Sequence, residues 1–154
     1  MRAVVPGLYG FVSATKWLVE LEVTRFADFT AFWTTRGWSA RGPVRTQSRI
    51  DVPRADTRVE AGAVRVGGVA WAQHTGVERV EVQLDGGSWQ EVDLGRVPGE
   101  DTWVQWSGTV EASPGSHTLA VRATDRTGAT QTAVRRDVVP DGATGWHTID
   151  FVAE

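Results

Sequence analysis

Regularly spaced turn signals between short alternating segments are the feature that most constrains the fold of this chain. From Thr46 onward, Asp-Gly and Pro-Gly pairs recur between short runs in which apolar and polar residues alternate. Alternation with a period of two is the pattern of a half-buried β-strand. The predicted strands are residues 47–52, 63–72, 77–84, 89–93, 103–111, 117–124, 131–138 and 146–152. Short strands with frequent turns predict an all-β fold, in the form of an antiparallel sandwich.

The strand pattern also predicts which side chains form the core. One face of each strand is expected to be buried between the two sheets of the sandwich. The predicted inward-facing residues are Val64, Val66, Val69, Trp71, Val80, Val82, Leu84, Leu119, Val121 and Ala123. A fully buried large side chain contributes roughly 1.5–3 kcal/mol, so a core of this size is sufficient for one domain.

Residues 1–42 have a different pattern. The runs 3–5 and 16–23 are strand-like, with a turn at Pro6-Gly7 and a loop up to Thr15 between them. Residues 25–38 are rich in aromatic side chains, at a spacing that favours a short helix or a turn. Two strands and one aromatic turn do not form an independent core. We therefore predict a boundary near residues 40–44 and a domain upstream on which the first part packs.

Composition limits the partners and the chemistry of the chain. It contains no cysteine, so these residues supply no disulfide and no thiolate ligand. Residues 1–49 carry seven Lys and Arg against three acids, and residues 50–154 carry nine against sixteen. Nucleic acids are bound by basic clusters, so we expect no nucleic-acid partner. No run approaches the ~18 consecutive apolar residues of a membrane span, and we expect no membrane contact by this segment.

Two groups of motifs occur in a specific order. The first is Val-Val-Pro-Gly at 4–7 with Ser-Ala-Thr-Lys-Trp-Leu at 13–18. The second is Gly-Val-Ala-Trp at 68–71, Thr-Trp-Val-Gln-Trp at 102–106, Arg-Ala-Thr-Asp at 122–125 and Gly-Trp-His at 145–147. The first group resembles the closing segment of the molybdopterin-binding domain of the sulfite oxidase family. The second resembles that family's C-terminal dimerisation domain, so the resemblance covers essentially the whole chain.

The resemblance implies a fold, a domain division and a function. The fold is an all-β, immunoglobulin-like (E-set) antiparallel β-sandwich preceded by a short two-strand segment. Residues 1–42 would be the C-terminal end of the molybdopterin-binding domain, and residues 43–154 the dimerisation domain. The chain would serve a molybdenum-dependent, sulfite oxidase-like oxidoreductase without being catalytic on its own. Its partners would be an upstream molybdopterin domain and a second copy of the protein.

The resemblance also implies a cofactor and residues that contact it. The cofactor is molybdopterin, whose metal is held in the family by a dithiolene and one cysteine. Because this chain has no cysteine, we expect no catalytic or metal-binding residue in it and no cofactor bound to the isolated fragment. Lys16 matches the family's lysine at the phosphate side of the cofactor, a role suited to a compact positive charge. Thr15 and Ser13 are expected to add hydroxyl or amide contacts to the same group.

A second function class stays open at this point. The chain could be a free-standing bacterial immunoglobulin-like module that binds a cell surface or a carbohydrate. Trp103 and Trp106 are expected on opposite faces of one strand, so that one lies in the core. The other would lie in a subunit interface or stack on a sugar. A single lysine beside fifteen arginines favours a bacterial source. The sequence contains no readable targeting signal, so it does not determine the localisation.

The remaining polar residues favour structural roles. His74, His117 and His147 lack the spacing of a metal site and are expected at the surface or at strand ends. Asp85 and Asp125 lie in predicted turns, where aspartate commonly accepts hydrogen bonds from its own backbone. Neither group predicts a catalytic constellation.

Overall fold

A computed structural model describes residues 2–154, which form two compact units. Among the described residues, the first unit contains residues 2–45 and 136–144, and the second contains residues 46–135 and 145–154. The first unit has little regular structure: strands β1 (Arg2–Ala3) and β2 (Thr15–Lys16), helix α1 (Gly10–Ser13) and a 3₁₀ turn at Thr34–Arg36. No helix within residues 2–154 has the length and the apolar character needed to cross a membrane.

The second unit is a β-sandwich. Its strands are β3 (Gln47–Val52), β4 (Arg58–Val59), β5 (Gly62–Trp71), β6 (Val77–Leu84), β7 (Gln90–Leu94), β8 (Val104–Ala112), β9 (Gly115–Asp125) and β10 (His147–Ala153). They pair in the order β3-β5-β8-β7-β6-β9-β10-β4, antiparallel throughout except for β10 with β4. Strand β7 pairs with both β6 and β8 and so joins the two sheets. The all-β prediction is confirmed.

The core lies between the two sheets. It contains Ile50, Val64, Val66, Ala70, Ala72, Val77, Val80, Val82, Val92, Val104, Trp106, Val110, Ala112, Leu119, Val121, Ala123, Ile149, Phe151 and Ala153. The predicted inward positions on β6 and β9 are confirmed, apart from Leu84, which is only partly buried. On β5 the prediction was wrong for Val69 and Trp71, because unbroken alternation from Val64 places Ala70 and Ala72 in the core instead.

Two predicted strands are absent. Residues 131–138 form no strand, and the segment is held by side-chain hydrogen bonds of Gln131 and by one isolated bridge, between Arg136 and Thr144. Residues 17–23 form no strand either, since β2 ends at Lys16 and the alternating run that follows has no strand to pair with. The helix or turn predicted for residues 25–38 is reduced to the 3₁₀ turn, whereas helix α1 lies in a predicted loop.

Candidate functional site

The predicted cofactor-binding residues lie around the two-stranded ribbon of the first unit. The turn at Gly7 has a positive φ of 83°, and the adjoining backbone pairs with residues 42–44 through the Tyr9 N–H to Gly42 and the Val44 N–H to Gly7. This pairing anchors helix α1, and Thr15 and Lys16 follow it as strand β2. Both residues are exposed and pair with Ala3 and Arg2 of β1. The ribbon therefore presents Lys16 to the solvent on an ordered backbone.

Arg2 is the residue that the sequence analysis missed. It is exposed and lies directly opposite Lys16 in the antiparallel register of β1 and β2. Opposite residues in such a pair have Cβ atoms about 4.5–5.5 Å apart, and like charges placed there destabilise the pair. An anionic group bound between the two cations would remove that repulsion. The signal in the sequence was a basic residue at the start of the strand that precedes the Val-Val-Pro-Gly motif.

Ser13 has a different environment from Lys16. It is the last residue of α1 and is 7% exposed. Its hydroxyl donates to the carbonyl of Leu8 at 3.3 Å, and its amide donates to the carbonyl of Tyr9 at 3.1 Å. Both of its donors are therefore engaged within the turn, and Thr15 and Lys16 have the accessible positions.

An apolar segment follows the ribbon directly. Trp17, Val19, Leu21 and Val23 are 82%, 97%, 83% and 96% exposed, and Trp17 has a positive φ of 57°. Phe26, Phe29 and Phe32 are also largely exposed. Extended apolar surface of this kind marks an interaction site in a soluble protein. We call residues 17–32 the exposed apolar segment.

His117 is buried near the start of β9, which agrees with the predicted strand-end position but not with the surface position that was its alternative. Its Nδ1 lies 2.7 Å from a carboxylate oxygen of Asp85, its Nε2 lies 2.6 Å from the carbonyl of Ser113, and its ring packs on Phe151. Both partners are acceptors, so the ring can donate on both sides only as the imidazolium. The hydrogen bond to the Ser113 carbonyl, aided by Asp85, raises the pKa of His117. The Thr118 N–H and then His117 lower the pKa of Asp85. Asp85 therefore bonds to two residues of β9, and the prediction that it accepts hydrogen bonds from its own turn was wrong.

His147 has the opposite protonation preference. It begins β10, and its Nδ1 accepts the Ile50 N–H of the edge strand β3 at 3.1 Å. An accepting Nδ1 requires the neutral ring. Burial, followed by the charge of Arg49, lowers the pKa of His147. Like His117, this histidine has a structural role, and no group of three or more potential metal ligands occurs among residues 2–154.

Asp125 and Gln131 organise the chain after β9. Asp125 accepts the N–H groups of Thr127 and Ala129 at 2.9 and 3.2 Å, which confirms the predicted cap of its own turn. The side chain of Gln131 accepts from the Ser48 hydroxyl at 2.7 Å and donates to the Gly145 carbonyl at 2.8 Å. Gln131 thereby connects β3 to the start of the last strand, a role that strand periodicity does not reveal.

Three tryptophans lie on the two faces of one sheet, one in the core and two on the outer face. Trp106 is 3% exposed and lies in the core, whereas Trp103 is 48% exposed on the opposite face. The prediction that one of the two lies in the core is confirmed. Trp103 packs on Trp71 with ring centroids 5.7 Å apart. This pair belongs to the outer face of the sheet β3-β5-β8.

Comparisons with known proteins agree with these motifs. The family model of the Mo-co oxidoreductase dimerisation domain matches residues 39–152. Mitochondrial sulfite oxidase from Rattus norvegicus is 32% identical over 113 residues, which are 61% of this chain and 20% of the relative. Sulfite oxidase from Arabidopsis thaliana is 28% identical over 149 residues, which are 78% of this chain and 38% of the relative. The chain thus spans a minor part of the curated relatives it matches.

The fold also matches a solved structure. The sulfane dehydrogenase SoxCD from Paracoccus pantotrophus aligns with a TM-score of 0.58 and 22% identity, over 69% of this chain and 30% of that chain. At this identity the likeness concerns the fold alone, and it agrees with the immunoglobulin-like sandwich implied by the motifs. The match of the family model covers most of the chain and the whole of the sandwich up to Val152. The chain therefore belongs to the Mo-co oxidoreductase dimerisation domain family of sulfite oxidase-like proteins.

Proposed function

We propose that this chain is the C-terminal part of a molybdenum-dependent, sulfite oxidase-like oxidoreductase and joins two copies of that enzyme into a homodimer. The observation that carries the proposal is the match of the dimerisation-domain family over residues 39–152. It favours this function over the free-standing binding module. A two-fold dimer is the commonest closed assembly, since one self-complementary surface is sufficient. In finer terms, we place the sandwich in the E-set group and the source among bacteria.

We further propose that residues 1–42 complete the molybdopterin-binding domain of that enzyme. The exposed apolar segment supports this assignment, because its side chains find no core within the first unit. The apolar and acidic residues at 19–23 alternate strictly, which is the pattern of a strand with one buried face. In the full-length enzyme the segment would pack against the upstream part of the cofactor domain.

The donors on the ribbon are suited to an anionic group of the cofactor. Arg2 supplies a planar guanidinium, Lys16 a compact ammonium, and Thr15 a hydroxyl, and these are common ligands of phosphate. Molybdopterin carries a phosphate, and its metal supplies the oxygen-atom transfer chemistry when bound. We propose that Arg2, Lys16 and Thr15 hold the phosphate end and that Ser13 stabilises the turn that positions them. The isolated chain, without a cysteine to bind the metal, is expected to bind no molybdenum cofactor.

The dimer is tested by sedimentation velocity of the 154-residue chain over a concentration series. We expect a reversible monomer–dimer equilibrium with the dimer favoured in the micromolar range. A species that remains monomeric at several hundred micromolar, in the chain and in the full-length enzyme, would contradict the proposal.

The cofactor contact is tested in the full-length enzyme with Lys16→Ala and Arg2→Ala. A charge-assisted hydrogen bond contributes roughly 1.5–3 kcal/mol, which corresponds to a loss of about 10–100-fold in cofactor affinity. We expect reduced molybdenum content with little change in melting temperature, since both side chains are exposed. Arg58→Ala is the matched control, because Arg58 is an exposed strand residue of the sandwich that forms an ion pair with Glu154. Full molybdenum content in both test variants would refute the assignment.

A further inference from the structure

A short segment late in the chain belongs to the first unit, although the residues on both sides of it belong to the sandwich. The second unit is interrupted after Arg135 and resumes at Gly145, and residues 136–144 lie in the first unit. We call residues 136–144 the strap. The dimerisation-domain family matches residues 39–152, a range that includes the strap. One segment of the dimerisation domain is therefore part of the unit that carries Lys16.

The strap is closed by hydrogen bonds of its own backbone. Arg136 and Thr144 form an antiparallel bridge at its two ends, with N–H donors 3.4 and 3.3 Å from the carbonyl oxygens. Nearer the tip, the Gly142 N–H donates to the carbonyl of Val138 at 2.8 Å. Because these bonds close the loop on itself, the strap has a defined shape against which other parts of the first unit can pack.

Three polar contacts hold the strap to residues 39–45. The Ser39 N–H donates to the carbonyl of Pro140 at 2.6 Å. The guanidinium of Arg45 donates from Nε to the carbonyl of Asp141 at 3.1 Å, and its Nη2 lies 2.7 Å from the carboxylate of the same residue. Two contacts from one planar guanidinium to one residue fix orientation as well as distance. The tip of the strap is therefore fixed relative to this part of the first unit.

The strap also lies directly against Tyr9. Gly142 has a positive φ of 96°, and a Cβ at this position would lie 2.7 Å from Cε2 and 2.9 Å from Oη of Tyr9. The Tyr9 ring stacks with Phe11, with ring centroids 6.0 Å apart, and Phe11 packs on Trp38 at 4.5 Å. A side chain at position 142 would therefore displace Tyr9 and disturb the rings that pack with it.

Tyr9 determines where the ribbon begins. Its carbonyl accepts the N–H groups of Val12 and Ser13 at 2.9 and 3.1 Å, which starts helix α1, and Lys16 follows in β2. The ribbon itself gives little support, because β1 and β2 pair over two residues only and place Arg2 opposite Lys16. Two-stranded ribbons are marginal alone, and like charges opposite each other weaken them further. The position of Lys16 therefore depends on the contacts that hold Tyr9.

We propose that the strap positions the ribbon for the cofactor: by holding Tyr9 it fixes α1 and β2, so that Lys16 reaches the phosphate end. The inference rests on the proposed function, in which Lys16 contacts that phosphate. Asp141 and Gly142 do not touch the cofactor themselves and are positioning residues that act through Arg45 and Tyr9. A segment of the dimerisation domain thus contributes to cofactor retention.

The test is Gly142→Ala in the full-length enzyme, with Gly128→Ala as the matched control. Gly128 has a positive φ of 87°, and a Cβ there would meet no atom within 4 Å. Both substitutions place a Cβ on a left-handed backbone, but only Gly142→Ala pushes against Tyr9. Arg45→Ala removes both contacts to Asp141 and decides the question if Gly142→Ala yields no folded enzyme. Each substitution is also combined with Lys16→Ala.

The measurements are the rate at which molybdenum is lost on dilution, the melting temperature and the oligomeric state. We expect Gly142→Ala and Arg45→Ala to speed the loss by about fivefold or more, against less than about twofold for Gly128→Ala, with an unchanged oligomeric state. In the Lys16→Ala background the strap variants should add less than about twofold, because a contact that is already absent cannot be displaced.

Two results would overturn the inference and leave the proposed cofactor contact intact. One is a rate of molybdenum loss in Gly142→Ala and Arg45→Ala equal to that of the control. The other is a full additional effect in the Lys16→Ala background, which would show that the strap supports the fold in general and does not act through this lysine. If Lys16→Ala alone leaves molybdenum retention unchanged, the proposed cofactor contact is wrong and the inference falls with it.

Discussion

Replacing Gln131 by alanine should destabilise the sandwich by about 2–3 kcal/mol. The side chain makes three hydrogen bonds: its Oε1 accepts from the Ser48 hydroxyl and from the Ala123 N–H, and its Nε2 donates to the Gly145 carbonyl. A typical intramolecular hydrogen bond contributes about 1 kcal/mol net, and a buried partner left unpaired adds to the loss. Ser48 is 9% exposed, so its hydroxyl cannot recover full hydration. The summed loss is large for a single half-buried side chain.

Equilibrium urea unfolding followed by tryptophan fluorescence measures this change as a shift in midpoint at constant slope. Gln83→Ala is the control, because Gln83 makes one exposed hydrogen bond, to the Gly87 carbonyl at 2.7 Å. We expect Gln83→Ala to cost no more than about 0.5 kcal/mol. The variant Gln131→Glu should destabilise at neutral pH too, since a carboxylate cannot donate to the Gly145 carbonyl. A loss below about 1 kcal/mol for Gln131→Ala, or one equal to that of the control, would refute the proposed role of this side chain.

Three further changes test the packing and the protonation of the sandwich. The pKa of His117 is raised, so its contribution to stability is complete below the pKa of an unfolded histidine, about 6.5, and is lost as the pH rises through the folded value. His117→Gln should therefore flatten the decline of unfolding free energy on the alkaline side. The pKa of His147 is lowered, so its contribution to stability is complete above about pH 6.5 and is lost as the pH falls through the folded value. His147→Gln should therefore flatten the decline of unfolding free energy on the acid side. For either histidine, a variant whose pH profile of unfolding free energy equals that of the wild type would contradict the assignment. Gly68→Ala should destabilise by about 3 kcal/mol in a urea titration, because the added Cβ would overlap the backbone oxygen of Arg49 and the ring of Trp106, and a neutral effect would show that β3 and β5 separate easily.

The predicted strands that formed are those whose partners lie within this chain. Residues 47–52 and 77–84 were located to the residue, the first from its alternation and the second because alternation and the flanking turn glycines agreed there. Residues 131–138 alternate too, but their apolar side chains, such as Val134 at 56% exposure, are not buried by any sheet. Alternation indicates that a segment can form a strand, whereas pairing depends on an available edge.

The inward face of β5 shows a second limit of local pattern. Gly67 and Gly68 interrupt the apolar series. After them, the prediction placed the odd-numbered residues Val69 and Trp71 in the core in place of the even-numbered ones. In the structure the parity is unbroken, and Gly68 takes an inward position because β3 and the Trp106 ring approach too closely for a side chain. The glycine therefore fills a core position, which only the neighbouring strand reveals.

The sequence by itself determined the fold class, the family and the presence of Lys16 in a recognisable motif. These follow from local periodicity, from turn chemistry and from the order of short motifs, all of which are properties of neighbouring residues. The tertiary structure alone decided that Arg2 faces Lys16, that Asp85 and His117 pair across 32 positions of the chain, and that Trp103 lies outside while Trp106 is buried. Each of these depends on the register between distant strands, and a shift of one residue would reverse the faces.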